Sequence, residues 1–230
     1  MTHTLGLQGR IAQVRERIAA AARRAGRDPD AVTLVAVSKT VDRAAVDEAY
    51  RAGLRQFGEN RVQEAKAKFG SGRPADLTLH LIGTLQTNKA KDAVALFDVV
   101  QSVDRAGVID ALGKRAAQAG RRLPVLLEVN VAGEASKQGA DPAEAPALVA
   151  RLAGQEWLEL RGLMTMAPLV ADPEEARLVF RALRQLRDDL RRADPGLDLA
   201  DLSMGMTNDY PVAVEEGATI VRVGRAIFAG

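Results

Sequence analysis

The chain has 230 residues, with 32 Lys and Arg against 30 Asp and Glu, 47% apolar and 3% aromatic residues, two histidines (His3 and His80) and no cysteine. That length holds one large domain or two small ones; the missing cysteines exclude disulfides, thiol catalysis and cysteine-ligated metals, and two histidines are too few for a histidine-rich metal site. Interleaved charge and scarce aromatics argue against nucleic acid as a partner, no apolar run is long enough to span a bilayer, and residues 1–9 lack a secretion-signal layout, so the cytoplasm is the expected compartment.

Ile11, Val14, Ile18, Ala21 and Ala22 recur at helical spacing and predict a helix over 7–25, ended by Gly26 and the Asp28-Pro29 turn. Residues 32–40 read as a short buried strand, mostly apolar and β-branched, that ends on a lysine. Alternation puts Val35, Val37 and Lys39 on one face. An amine emerging past two packed valines would be partly desolvated, which favours its neutral form and suits Schiff-base chemistry with an aldehyde or ketone. The plainer alternative is a lysine that caps the strand and reaches to water.

A short helix over 44–52 stops at Gly53, a strand over 54–57 runs into Gly58-Glu59-Asn60, and residues 61–69 are helical again. The next pairs are a strand over 77–82 with a helix over 85–96, then a strand over 98–102 with a helix over 105–119. The strand over 124–131 is the most hydrophobic; a loop through Ser136-Lys137-Gln138-Gly139 and a helix over 143–153 follow it. Strands over 160–164, 199–203 and 219–223 complete the set, separated by a long helix over 173–192 and a helix running through Val214.

Eight strands alternating with helices, without a linker or composition shift, predict one α/β domain over 1–230: a (β/α)8 TIM barrel with an additional N-terminal helix. A doubly wound open sheet is the competitor, but its first turn would usually carry a Gly-rich fingerprint where this chain has Ser38-Lys39-Thr40. In a barrel the C-terminal strand ends share one mouth, so Lys39, Asn60, His80, Ser102, Asn130, Lys137, Ser203 and Arg222 are candidates to converge there. Ser203-Met204-Gly205 after the seventh strand and Gly224-Arg225 after the eighth suit a phosphate site of backbone amides, with a Ser203 hydroxyl and an Arg225 charge; the alternative is that both glycines serve tight turns. Arg222, inside its strand, should face the barrel interior, where it meets either a ligand or an acidic partner. His80 alternates with apolar neighbours, as a satisfied core histidine does, and Lys137 reads as surface or as extra positive charge at the mouth. P-loop, H-E-x-x-H, EF-hand and G-x-S-x-G patterns do not occur in the sequence.

Several stretches together resemble the YggS/PROSC family of pyridoxal phosphate (PLP) homeostasis proteins. They are Leu34-Val35-Ala36-Val37-Ser38-Lys39-Thr40, Phe57-Gly58-Glu59-Asn60-Arg61-Val62-Gln63-Glu64, His80-Leu81-Ile82-Gly83-Thr84-Leu85-Gln86-Thr87-Asn88-Lys89, Val129-Asn130-Val131, Ser136-Lys137-Gln138-Gly139, Gly162-Leu163-Met164-Thr165-Met166, Leu202-Ser203-Met204-Gly205-Met206-Thr207-Asn208-Asp209 and Val221-Arg222-Val223-Gly224-Arg225-Ala226-Ile227-Phe228. The resemblance implies a barrel like the alanine racemase N-terminal domain, with PLP held as a Schiff base on Lys39. By the same carry-over Ser203, Met204, Gly224 and Arg225 hold the phosphate, Arg222 faces the pyridine nitrogen, Asn60 lies near the ring and His80 belongs to the pocket. Many members carry a second lysine where this chain has Val41, and a tryptophan where it has Leu79.

An arginine at the pyridine nitrogen cannot protonate it as an acid would, which weakens carbanion chemistry. Racemases with such an arginine draw a second acid–base group, usually a tyrosine, from an added β-domain for which this length leaves no room; Tyr50 and Tyr210 both lie in predicted helices. The expectation is a monomeric PLP-binding protein that stores or delivers the cofactor, with PLP-dependent apo-enzymes as partners, no membrane or nucleic-acid partner and no substantial turnover. The rivals are a PLP-dependent amino-acid racemase and a PLP-free Schiff-base sugar-phosphate aldolase.

Overall fold

The computed structural model describes residues 5–133 and 138–229. Eight parallel strands close a barrel in chain order: β1 (Thr33–Val37), β2 (Gln56–Glu59), β3 (Thr78–Leu81), β4 (Val99–Val103), β5 (Leu123–Glu128), β6 (Leu158–Met164), β7 (Asp201–Ser203) and β8 (Ile220–Val223). Helix α1 (Leu7–Arg24) precedes them. α2 (Arg43–Arg51), α3 (Val62–Phe69), α4 (Ala90–Leu96), α5 (Ala106–Ala119), α6 (Ala145–Ala153), α7 (Arg177–Ala193) and α8 (Tyr210–Glu215) join successive strands, and α9 (Arg225–Phe228) follows β8. The seam pairs Thr33 with Ile220, Leu34 with Val221, Val35 with Arg222 and Ala36 with Val223. The sheet is closed, not open and doubly wound.

Strand alternation divides the side chains into two layers. Outward residues such as Ala36, Phe57, Leu79, Leu81, Leu127, Leu163, Leu202 and Val221 pack with the helices in one large core. Inside, Val35, Leu126, Met164 and Ile220 form a separate apolar cluster with Met166 against it. Arg222 follows Ile220 on the same inward row, so this cluster lies beneath the polar part of the barrel.

Helix α1 buries Leu7, Ile11, Val14, Ile18, Ala21 and Ala22, the stripe its spacing predicts, against α8 and α9. Beyond it, Arg27 donates to the carbonyls of Val214 (2.5 Å) and Ala218 (2.9 Å), while Arg10 Nε donates to that of Ile227 at 2.7 Å. The extra helix therefore braces the segments flanking β8.

Several boundaries differ from the sequence reading: the second strand, expected over 54–57, runs over Gln56–Glu59, and the sixth begins at Leu158 rather than at 160. The helix expected from 85 begins at Ala90, after a 3-10 turn over Thr87–Lys89. The fifth strand ends at Glu128 because Val129 bridges to Ala140, and the helix expected from 173 opens with a 3-10 turn over Pro173–Ala176 capped by Asp172. The α9 turn is absent from the sequence reading; four residues carry too little periodicity to declare a helix.

The strands β6 and β7 approach so closely at Gly162 that a Cβ there would stand 1.9 Å from the Asp201 carbonyl oxygen. Gly162→Ala should lower stability by on the order of 3 kcal/mol, read as a drop in the urea midpoint; an unmoved midpoint would contradict this packing.

Candidate functional site

At the C-terminal face of the barrel a cavity of about 410 Å³ is lined by Val37 and Lys39 after β1, Asn60 after β2, Ile82 after β3, Met166, Pro168 and Leu169 after β6, residues 206–209 after β7, and Arg222, Gly224 and Arg225. Larger grooves of about 880 and 680 Å³ lie among residues that open the strands, including Glu159 and Arg161 in one and Thr33 and Gln56 in the other. Barrels carry their chemistry at the opposite face, and the smaller cavity falls within the roughly 300–1,000 Å³ typical of ligand sites. It also gathers three cations, Lys39, Arg222 and Arg225, around one opening.

Arg222 is 3% exposed, and among the described residues its side chain bonds a hydroxyl and a carbonyl rather than a carboxylate. Its Nη1 donates to Ser203 Oγ at 2.6 Å and its Nη2 to the Thr165 carbonyl at 2.8 Å. A guanidinium only donates, so Ser203 accepts and passes its own proton to Gln101 Oε1 at 2.6 Å. Gln101 Nε2 then faces His80 Nδ1 at 2.9 Å, which must accept; His80 therefore carries its proton on Nε2 and gives it to Gln56 Oε1 at 2.8 Å. One hydrogen-bond chain thus crosses the barrel from β8 through β7, β4 and β3 to β2. Burial lowers the Arg222 pKa to about 10, which leaves it charged at neutral pH, and lowers that of His80 to about 4, which leaves it neutral.

A second cluster holds the lysine loop from behind. Glu59, fully buried on the outward face of β2, accepts from Ser38 Oγ and Lys68 Nζ, both at 2.6 Å, and Lys68 Nζ also donates to the Ser38 carbonyl at 2.5 Å. Ser38 immediately precedes Lys39. Nearby, a Cβ on Gly83 would stand 2.3 Å from the Asn60 carbonyl oxygen, so glycine there lets the Asn60 loop reach the mouth.

Lys39, Asn60, Arg222, Gly224 and Arg225 meet at the cavity. Lys39 is exposed rather than half-shielded: Val37 lines the cavity beside it, but the turn after β1 carries the amine out past that valine. Ser203, Met204 and His80 lie outside the lining. The Ser203 hydroxyl is spent between Arg222 and Gln101, Met204 points outward into the helix-packed core, and His80 lies deeper in the hydrogen-bond chain. Gly205, at φ +91°, serves packing: a Cβ would stand 2.5 Å from Ala213 Cβ, and its carbonyl accepts the Arg222 backbone N–H. The β7 loop reaches the mouth through residues 206–209 instead, where Asp209 accepts the Met206 N–H at 2.6 Å. Ser102 donates to the Gly83 carbonyl at 2.7 Å, Asn130 lies just past β5, and Lys137 falls outside the described residues.

Sequence reading missed Gln56, Gln101 and Thr165. Gln101 does carry a signal, a polar residue on the inward row of an otherwise apolar strand; Thr165 acts through its carbonyl, which no side-chain pattern reveals.

The model of the alanine racemase N-terminal domain matches residues 10–230. The chain belongs to that family. Its likeness to two members spans nearly the whole chain. The pyridoxal phosphate homeostasis protein of Aquifex aeolicus is 42% identical, over 95% of this chain and 96% of its own. PipY of Synechococcus elongatus, solved with PLP bound, is 40% identical with a TM-score of 0.86, over 97% of this chain and all of that one. The alanine racemase of Clostridium difficile, at 13% identity and a TM-score of 0.71, shares the fold over 94% of this chain and 59% of its own.

The buried state of His80 fixes its titration. The ring protonates near 4 in the fold against 6.5 in the open chain, so its contribution to stability is complete above pH 6.5 and about 3 kcal/mol is lost as pH falls from there to 4. Imidazole resonances should show an Nε2–H tautomer that does not titrate between pH 8 and 5; a midpoint near 6.5 would contradict the chain of hydrogen bonds.

Proposed function

We propose that this protein binds pyridoxal 5'-phosphate at the barrel mouth through a Schiff base on Lys39 and serves cofactor homeostasis, holding and delivering the aldehyde rather than turning over a substrate. The observation that carries this reading is the convergence of an exposed amine and two guanidinium groups on one cavity. The cofactor supplies an aldehyde that condenses reversibly with amines and a dianionic tail that needs positive partners.

The residues present fit that group. Lys39 offers the amine, and Arg225, exposed on the rim, offers charge for the tail. Gly224 lets the backbone sit close: a Cβ there would stand 3.1 Å from the Val37 carbonyl oxygen. The first N–H groups of α9 have no partner within the helix and add donors beside Arg225. Arg222 presents a fixed, charged donor from below. In this proposal Ser203 and His80 act through Arg222, holding its orientation, and Met204 only packs. PipY, solved with PLP bound, supports the cofactor, and the homeostasis proteins support the role.

Weak turnover follows from the same groups. A guanidinium with pKa about 10 does not give up its proton to a pyridine nitrogen, so the ring is a poor electron sink. Neither tyrosine lines the cavity: the Tyr50 hydroxyl donates to Asp76 on the outside, and Tyr210 is buried beneath Arg17. Delivery as a monomer to PLP-dependent apo-enzymes, within the cytoplasm, completes the proposal; the open rim, where Leu169 is 79% exposed, is the face that such an enzyme would meet.

Purified protein saturated with PLP should show an imine absorbance band that Lys39→Ala lacks, and should convert L-alanine or L-serine to the D-isomer no faster than free PLP does. Rapid racemisation would establish an enzyme instead. A colourless protein trapped by borohydride only with a keto- or aldehyde-sugar phosphate would establish an aldolase.

A further inference from the structure

Two side chains outside the cavity act on the amine that lines it. Lys39 leaves the chain from the peptide plane it shares with the Ser38 carbonyl, because that C=O and the Lys39 N–H belong to one planar unit. Every polar group of Ser38 is held. Its N–H donates to the Gly58 carbonyl at 2.9 Å, its hydroxyl donates to Glu59 Oε1, and its carbonyl accepts both Lys68 Nζ and the Val41 N–H. Lys68 also ties the far end of this turn, where its own carbonyl accepts Arg43 Nη1 at 3.1 Å. Residues 39–42 are therefore strung between two anchors on a single residue of α3. Neither Glu59 nor Lys68 lines the cavity.

Stability does not account for the pair. Ser38 and Glu59 are fully buried, and the Lys68 side chain is 10% exposed. The ammonium and the hydroxyl both reach the same carboxylate oxygen, Oε1, while Oε2 is buried without a hydrogen-bond partner. An ion pair taken out of water and only half satisfied stabilises a fold no better than apolar side chains of the same size. What apolar side chains do not supply is direction: a donor and an acceptor aimed at the residue before Lys39.

We propose that Glu59 and Lys68 are positioning residues for the Schiff base, holding the Ser38–Lys39 peptide at the angle from which the amine meets an aldehyde in the cavity. They thereby set the rate and extent of imine formation without touching the ligand. This deepens the PLP reading and rests on it. In the step concerned, the unprotonated Lys39 nitrogen gives its lone pair to the aldehyde carbon and loses two protons; the aldehyde oxygen takes both and leaves as water, and nothing is oxidised or reduced. Lysine carries its amine on a flexible stem, so most of its orientations miss the carbon, and fixing the root of that stem narrows the search. Charge for the anionic tail comes from Arg222 and Arg225, on β8 and α9, so binding of the tail does not pass through Ser38.

Two ligands separate these roles on the full chain. PLP reports imine formation through its absorbance band and the circular dichroism induced in it; pyridoxine 5'-phosphate, an alcohol, reports binding without an imine. In the double variant Glu59→Leu with Lys68→Met, apolar side chains replace the pair and no charge is stranded, so the urea midpoint should stay at or above that of wild type. Imine formation on Lys39 should slow by about tenfold and the induced dichroism should weaken, while affinity for pyridoxine 5'-phosphate stays within about twofold. Ser38→Ala removes one hydroxyl and leaves the ion pair whole. It should show the same pattern to a smaller degree, and it decides the question should the double variant fail to fold. Imine formation and dichroism as in wild type would overturn the positioning role and leave the PLP reading standing. An equal loss for both ligands would also overturn it, because that is what a merely structural role predicts. Absence of any Lys39 adduct in wild type would overturn the PLP reading, and this proposal with it.

Discussion

A guanidinium buried inside a closed barrel, with no carboxylate among the described residues to pair it, is the constraint around which the interior is arranged. Removing such a charge from water costs several kcal/mol, and hydrogen bonds to a charged group return about 1.5–3 kcal/mol each. Arg222 makes two, to Ser203 and Thr165, and the donor-only character of the first sets the direction of every later bond out to Gln56. Seen from Arg222, Gln101 and His80 are consequences: each accepts a proton from one side and offers one to the other. The strands that carry them are far apart in sequence, and only closure of the β1–β8 seam brings the row together.

The mouth above this row is assembled from two sides. On one, Glu59 and Lys68 grip the hydroxyl and carbonyl of Ser38, so the turn that presents Lys39 is tied to β2 and α3 rather than left free. On the other, Arg10 of α1 and Arg27 just beyond that helix hold the segments flanking β8. The amine itself remains exposed while its support is buried. A reversible carrier needs that combination: a fixed attachment point that solvent and an acceptor can both reach.

The alternation of strands and helices and the apolar stripe of α1 were legible in the sequence, because both depend on local periodicity that tertiary contacts then reinforce. Lys39, Asn60, Arg222, Gly224 and Arg225 were legible as a set because a barrel gathers strand ends at one face. What failed was orientation at the seventh strand. Ser203 looked like a phosphate donor, yet its hydroxyl turns inward to Arg222, a contact between strands that spacing along the chain does not encode. Gly205 looked like an anion cradle and instead permits α8 to pack against the β7 turn.

The family shares its barrel with racemases at identities too low to carry activity, so chemistry has to be argued from the site. That site offers an exposed amine, a fixed cation beneath it and an exposed one on the rim. The direct measurement is peptide mapping of a PLP-saturated, borohydride-reduced sample. A phosphopyridoxyl group on the peptide containing Lys39, absent after Lys39→Ala, is the predicted result; stoichiometric labelling of another lysine, or none, would contradict the account.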